Sequence, residues 1–121
     1  MSTTIYDKLG DQNVQLLVDN FYALVQQNEI IAPLFKGDFT LIKEKQFMFL
    51  SQFLGGPGRY TAAYGHPKMR MRHLPHKITD EAKDQWLDCM KKAIDTLPID
   101  NEFKAILYNC FPAVAQHMVN S

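Results

Sequence analysis

Apolar residues in the first quarter of the chain recur at three- and four-residue spacing, which is the period of an amphipathic helix. From Asn13 to Gln27 they form a single stripe of Val14, Leu17, Val18, Phe21, Leu24 and Val25. A short segment from Ile30 to Phe35 follows, and Pro33 interrupts it. This pattern predicts one long helix and then a short turn.

A second long helix is predicted to open at Thr40. Its apolar face carries Ile42, Gln46, Phe49, Leu50 and Phe53. The run Gly-Gly-Pro-Gly at 55–58 should end this helix, because glycine terminates helices and proline cannot continue them. An irregular stretch is expected to about Pro67, and the piece from Lys68 to Leu74 has room for only two helical turns before Pro75.

The last third of the chain predicts two more helices. Thr79 is a suitable N-cap, and the helix after it should run to about Thr96. Its apolar side carries Ala82, Trp86, Met90, Ala93 and Leu97. The final helix begins near Asp100, and Pro112 should kink or break it. Its inward positions are Phe103, Ile106, Leu107, Cys110, Val114 and Met118. No strand pattern appears, so the chain is predicted to be all-α, with residues 1–121 forming a single domain.

Composition narrows the class of protein. The 121 residues hold 13 basic and 13 acidic side chains, a balance that disfavours a dedicated nucleic-acid binder. The N-terminus resembles no export signal, and no apolar run is long enough for a bilayer span, so we expect a cytoplasmic protein without a membrane partner. Cys89 and Cys110 stand alone and are interpreted as buried thiols.

Polar-tipped side chains on apolar stripes are the first sign of a binding site. Tyr22, Gln46 and Trp86 each lie on an inward face of a predicted helix. Buried donors need partners, because an unpaired one costs about 1–3 kcal/mol. The partner is either a bound ligand or another group of the protein, and the pattern alone does not separate these two. The histidines at 66, 73, 76 and 117 form no recognisable catalytic or metal-binding motif.

Several blocks of sequence together resemble the group II truncated haemoglobins. The blocks are Phe21-Tyr22, the run Phe49-Leu50-Ser51-Gln52-Phe53-Leu54-Gly55-Gly56-Pro57, then Tyr60, Gly65-His66-Pro67, Met69-Arg70-Met71-Arg72-His73-Leu74-Pro75, Asp84-Gln85-Trp86-Leu87-Asp88-Cys89-Met90 and His117-Met118-Val119-Asn120-Ser121. The likeness extends over nearly the whole chain. It implies the truncated globin fold, a two-over-two helical sandwich around haem b with a very short proximal helix.

The resemblance also implies roles for individual residues. His73 matches the proximal iron ligand, Trp86 the tryptophan typical of the second group, and Tyr22 the distal tyrosine. Ile42 takes the place of the distal histidine of other globins, with Gln46 one turn further on. Contacts to the haem are expected from Phe35, Phe49, Phe53, Tyr60, Arg72, His73, Leu74, Ile78 and Trp86, with Arg72 and Tyr60 near the propionates.

Three positions depart from the family pattern: the residue after Gly10, His76, and the proline at 112 inside the last predicted helix. Gly10 is followed by Asp11 where relatives have a glycine pair, so the first turn should differ. His76 stands where relatives often carry an aromatic residue, which makes it a second candidate for the iron. We favour His73 because it belongs to the matching Arg-His-Leu-Pro block.

The implied function is the binding of oxygen and other small diatomic ligands. An alternative is a haem-based redox enzyme that reduces peroxide or converts nitric oxide to nitrate, together with an unidentified reductase. A third is a haem-free helical interaction module, in which the aromatic stripes are only core.

Overall fold

Residues 3–35, 37–65 and 78–120 are described by the structure, a computed structural model. Within these ranges the chain is helical and contains no strand. The helices are α1 (Ile5–Gln26), α2 (Phe39–Phe53), α3 (Arg59–Tyr64), α4 (Asp80–Asp95), α5 (Asn101–Tyr108) and α6 (Pro112–Met118), with a 3₁₀ turn at Ala32–Leu34 between α1 and α2. The all-α prediction is therefore confirmed for this part of the chain.

Helix α1 begins eight residues earlier than its apolar stripe indicates, so the start predicted at Asn13 is wrong. A capping box at Thr4 and Asp7 stabilises the new start, since each side chain accepts a hydrogen bond from the other's backbone N–H. Gly10 then interrupts the helix with φ 79° and ψ 160°, a conformation that favours glycine. The helical segment before Gly10 could not be recognised from the sequence pattern, because Gly10 separates it from the apolar stripe that starts at Asn13.

Helix α2 starts one residue before the predicted Thr40. Asp38 is its N-cap, and the Asp38 carboxylate accepts a hydrogen bond from the Thr40 N–H at 2.8 Å. The helix ends at Phe53, ahead of Gly55, whose φ of 100° is again in the glycine region. A Cβ on Gly56 would lie 2.6 Å from the Tyr6 ring, so the glycine permits the start of α1 to pack closely on this corner.

The stretch between Gly58 and Gly65, predicted to be irregular, contains helix α3. This prediction was wrong because six residues are too few to display a helical period. Contacts outside the helix supply the missing stability. Gln52 of α2 donates to the Thr61 hydroxyl at 2.8 Å and accepts from the Thr61 backbone N–H at 3.0 Å. Residues 66–77, which include the predicted piece from Lys68 to Leu74, lie outside the described residues.

The N-cap predicted for α4 is confirmed. The Thr79 hydroxyl accepts a hydrogen bond from the Ala82 N–H at 3.0 Å, and the helix ends at Asp95 with Thr96 as its C-cap. The break predicted at Pro112 is also confirmed, because α5 ends at Tyr108 and α6 begins at Pro112. Ile106 was wrongly assigned to the inward face: it is 46% exposed, and its neighbour Leu107 takes the buried position of α5.

The core lies mainly where α1 packs against α4. Side chains that are fully buried there include Leu17, Val18, Phe21, Met90 and Ala93. Helices α2 and α6 cover other sides of this core and leave a large cavity between them. In the described ranges, none of the helices has both the length and the apolarity needed to cross a bilayer.

Candidate functional site

A cavity of about 460 Å³ lies inside the helical sandwich. Its walls come from α1, the 3₁₀ turn, α2, α3, α4 and α6. Its volume falls within the range of roughly 300–1,000 Å³ that is usual for ligand and cofactor pockets. All predicted site residues in the described part of the chain line it: Tyr22, Phe35, Ile42, Gln46, Phe49, Phe53, Tyr60, Ile78 and Trp86. The other predicted site residues, Arg72, His73 and Leu74, lie outside the described residues.

Tyr22 reaches the cavity from the middle of α1. Its side chain is 3% exposed, and its ring makes edge contacts with Phe21, Phe35 and Phe39 at centroid distances of 4.9, 5.6 and 6.1 Å. Burial raises the pKa of the Tyr22 hydroxyl, because the apolar surroundings disfavour the phenolate. Tyr22 therefore remains a neutral hydrogen-bond donor at neutral pH.

Trp86 enters from α4, opposite Phe21. The indole makes an edge contact with Phe21 at 5.1 Å and a tilted contact with Phe111 at 5.9 Å. Phe21 therefore contacts the rings of both Tyr22 and Trp86. The Tyr22 phenol on α1 and the Trp86 indole on α4 therefore lie in the same region of the cavity, on either side of the Phe21 ring.

Helix α2 contributes a mixed face. Ile42 and Gln46 are four residues apart, and so they lie one turn apart on the same side. Further along, Phe49 and Phe53 stack at 5.6 Å, and Tyr60 of α3 makes an edge contact with Phe49 at 5.9 Å. This end of the cavity is therefore lined by aromatic rings, whereas the end near Ile42 carries an amide.

Three polar groups on the cavity wall have no hydrogen-bond partner among the described residues. They are the Tyr22 hydroxyl, the Gln46 amide and the Trp86 indole N–H. Each nevertheless retains contact with the cavity space, because no buried polar atom of the described chain is both enclosed and unpaired. The sequence left open whether these groups bond to a ligand or to other groups of the protein. Within the described residues, they do not bond to one another or to other protein groups.

Sequence reasoning missed several lining residues. The cavity is also lined by Ile31, which directly precedes the 3₁₀ turn, by Leu34 within the turn, and by Phe111, Ala115 and Met118. Met118 was expected to point inward, but an apolar stripe does not indicate whether it meets protein or a cavity. Lys45 and Lys83 complete the rim. The Lys45 ammonium lies 5.0 Å from the Tyr64 ring centroid, and Lys83 donates to Gln116 at 2.9 Å.

The lining fits a haem group. A flat macrocycle with an apolar face requires aromatic and aliphatic contact, which the stacked phenylalanines and Ile78 offer. A small ligand on such a group requires donors in a water-poor space, and the unpartnered phenol, amide and indole provide them.

Comparison with known proteins agrees with this geometry. Residues 4–120 match the family described as bacterial-like globins. Group 2 truncated hemoglobin YjbI of Bacillus subtilis (strain 168) is 43% identical over 115 residues, covering 95% of this chain and 87% of that protein. The crystal structure of the group II truncated haemoglobin from Bacillus anthracis superposes with a TM-score of 0.93 at 38% identity, covering 99% of this chain and 98% of the other.

A further solved structure is the truncated oxygen-avid haemoglobin from Bacillus subtilis. Its TM-score is 0.91 at 42% identity, with 97% of this chain and 99% of that chain covered. The chain therefore belongs to the bacterial-like globin family and, within it, to the group II truncated haemoglobins with their two-over-two fold. Truncated globins typically bind haem and small diatomic gases such as oxygen.

Proposed function

We propose that this protein binds haem b through His73 and holds oxygen, or another diatomic ligand, beside Tyr22 and Trp86. The observation that carries the proposal is the set of three polar groups that open onto an otherwise apolar cavity without a partner among the described residues. The oxygen-avid character of the structurally similar Bacillus subtilis protein supports the choice of oxygen.

His73 is the proposed metal ligand because of its sequence context. It stands in the Arg-His-Leu-Pro block, five positions before Ile78, which lines the cavity. A neutral imidazole nitrogen suits iron, and the second ring nitrogen is expected to donate to a carbonyl that fixes the ring. Arg72 and Tyr60 are the proposed partners of the propionates, since a guanidinium forms strong hydrogen bonds with a carboxylate. Leu74, Phe35 and Ile78 would add apolar contact.

The cavity residues Tyr22, Gln46 and Trp86, from α1, α2 and α4, are the proposed hydrogen-bond donors to the ligand. Haem iron, when bound, supplies a coordination position for a diatomic ligand and makes that ligand a better hydrogen-bond acceptor. The Trp86 indole N–H can only donate and cannot itself ligate iron. The raised pKa of Tyr22 keeps its hydroxyl protonated. The Gln46 amide can donate directly or accept a bond from Tyr22 and so orient it.

Replacement of the histidine tests the proposal. The purified protein loaded with haemin should show a Soret band, and His73→Gly should lose the proximal imidazole while keeping the cavity lining. Added free imidazole should then restore the wild-type ferrous spectrum, because it replaces the missing side chain. His76→Gly and His117→Gly are the matched controls, and both should keep the spectrum unchanged.

Two results would contradict the proposal. One is a wild-type protein without a Soret band after exposure to haemin. The other is the reverse outcome for the two histidines: His73→Gly keeps the wild-type spectrum, whereas His76→Gly loses it and regains it only with free imidazole.

A further inference from the structure

We infer that Asn28 is a positioning residue for Trp86 and that it acts through Gln85. This inference rests on the proposed role of Trp86 as a ligand donor. Asn28 does not line the cavity, and neither does Gln85. Their side chains meet directly, with the Asn28 amide donating to the Gln85 carbonyl oxygen at 2.9 Å.

Asn28 is the junction between α1 and the turn that follows. Its side-chain oxygen accepts from the backbone N–H groups of Ile30 and Ile31, at 3.0 and 3.2 Å. Its backbone N–H donates to Val25, and its backbone carbonyl accepts from Ala32 at 2.9 Å. The bonds from Ile30 and Ile31 to the side-chain oxygen, together with the bond from the side-chain nitrogen to Gln85, use both ends of the amide and fix its orientation. The amide nitrogen that points to α4 is therefore preorganised.

Gln85 directly precedes Trp86 on α4. The rings of Phe21 and Phe111 contact the indole in edge and tilted geometries, and the orientation preference of such ring pairs is weak. A hydrogen bond weakens steeply when its angle departs from linearity. The Asn28–Gln85 bond therefore adds a sharper directional restraint than ring packing provides, at the residue next to the donor.

The same junction places other parts of the cavity wall. Ile31, whose N–H is held by Asn28, is 1% exposed and lines the cavity, as do Leu34 and Phe35 beyond it. Asn28 thus joins the segment that forms one wall to the helix that carries the indole. A small misplacement of a donor has a large effect, because a hydrogen bond requires a heavy-atom separation within a few tenths of an ångström.

The test removes the cross-link and leaves the turn intact. Gln85→Ala deletes the acceptor, whereas the bonds from Ile30 and Ile31 to Asn28 remain. Asn20→Ala is the matched control, because Asn20 also links α1 to the α4 region, through Thr96 at 2.8 Å, but ten residues away from Trp86. Asn28→Asp is the conservative variant: it keeps the acceptor for the turn, and Gln85 can rotate its amide to donate to the new carboxylate.

The first readout does not need haem. Trp86 is the single tryptophan of the chain, so time-resolved fluorescence anisotropy of the haem-free protein reports this indole alone. Gln85→Ala should increase the amplitude of the fast local motion, while Asn20→Ala and Asn28→Asp should match the wild type. Equal local motion in Gln85→Ala and Asn20→Ala would overturn the inference.

The second readout is oxygen dissociation from the haem-loaded protein. Gln85→Ala should release oxygen about threefold to tenfold faster, a partial loss of one donor bond, whereas the single variant Asn28→Asp should keep the wild-type rate. In the Trp86→Phe background the same change should have no further effect, because the donor is already absent. A rate increase that persists in that background would overturn the assignment to Trp86. A different observation would contradict the proposed function, namely that the protein does not bind haem.

Discussion

The cavity has two sides that are held together by different forces. On one side, α1 and α4 meet through buried rings, with Phe21 at 1% exposure in edge contact with both Tyr22 and Trp86. On the other side, the Tyr60 ring of α3 contacts Phe49 of α2, and polar bonds near the surface add to this packing and also connect α3 to α1. Arg59 forms two hydrogen bonds with Asp11, at 2.8 and 3.1 Å.

Because of this difference, we expect salt and pH to affect the side that carries the charged pair more than the side formed by packed rings. Ring packing depends on apolar area removed from water, and neither salt nor mild acid changes it greatly. Exposed charged pairs are screened by salt and weaken when the carboxylate is protonated. The proposed ligand donors stand on the packed side. Tyr60, the proposed propionate partner, follows Arg59 on the side where a charged pair adds to the ring contact with Phe49.

The largest effect is expected from removal of the shared ring. Phe21→Ala should lower the free energy of unfolding by about 3–5 kcal/mol, because it leaves a void between Tyr22 and Trp86. Denaturant unfolding measures this change. Phe47→Ala is the control from the α2–α3 side, where the ring is half-buried beneath the Arg59 guanidinium at 5.4 Å, and it should cost less. An equal loss of unfolding free energy in both variants would contradict the proposed difference between the two sides of the cavity.

Next in size are the donors themselves. Each hydrogen bond from Tyr22 or Trp86 to a charged acceptor contributes about 1.5–3 kcal/mol, so Tyr22→Phe or Trp86→Phe should speed oxygen dissociation by roughly 10- to 150-fold. Stopped-flow displacement of oxygen measures the rate. Tyr64→Phe is the control, since Tyr64 is 39% exposed and does not line the cavity. A wild-type rate in Trp86→Phe would deny Trp86 its role.

Burial of Tyr22 also predicts a dependence of stability on alkaline pH. The pKa of Tyr22 is raised in the folded chain, whereas the unfolded chain ionises near its ordinary value of about 10. Above that pH the loss of the proton lowers the free energy of the unfolded state, so this contribution to stability is complete below pH 10 and falls above it. The fall is about 1.4 kcal/mol per pH unit while the folded phenol stays protonated.

Tyr22→Phe should remove this part of the alkaline loss. The measurement is the free energy of unfolding of both proteins across the alkaline range, with Tyr64→Phe as the exposed control. Parallel curves for wild type and Tyr22→Phe would show that the phenol is not shielded from water.

The contrast between the two sides also explains which features the sequence could predict. Tyr22, Phe21 and Trp86 lie on long helices, where a three- and four-residue period identifies the inward face directly. The Thr79 cap and the Pro112 break are similarly local, because a single residue type determines each. Every one of these features depends on short-range chemistry.

The α2–α3 corner could not be predicted in this way. Helix α3 is stabilised by partners distant in sequence: Asp11 is 48 positions from Arg59. The early start of α1 has a local capping box at Thr4 and Asp7, and the packing of Tyr6 against Gly56 adds a contact distant in sequence. Ile106 shows a further limit, because the short helix α5 buries Leu107 alone and the period does not select between neighbours. Contacts distant in sequence therefore stabilise α3 and add to the start of α1, whereas the buried face of α5 is too short for its period to be identified.

The smallest effect is expected from the charged tie. The pKa of Asp11 is lowered, first by the hydrogen bonds from Arg59 and then by the bond from the Tyr6 hydroxyl. A lowered pKa in the folded state means that the stabilisation is present above the ordinary value near 3.9 and is lost as the pH falls below it. Asp11→Asn should therefore lower the Tm slightly at neutral pH, and its difference from wild type should vanish in acid.

Asp88→Asn is the matched control for this prediction. It removes one carboxylate that pairs with Lys92 at 2.9 Å on α4, away from the corner. Only Asp11→Asn should also increase amide hydrogen exchange of α3 in the haem-free protein, since Arg59 is the first residue of that helix. High salt should produce a similar increase in the wild type by screening the pair. If α3 exchanges equally in both variants, the Gln52–Thr61 bonds and the Phe49–Tyr60 ring contact hold the corner, and the charge contributes nothing to the position of Tyr60.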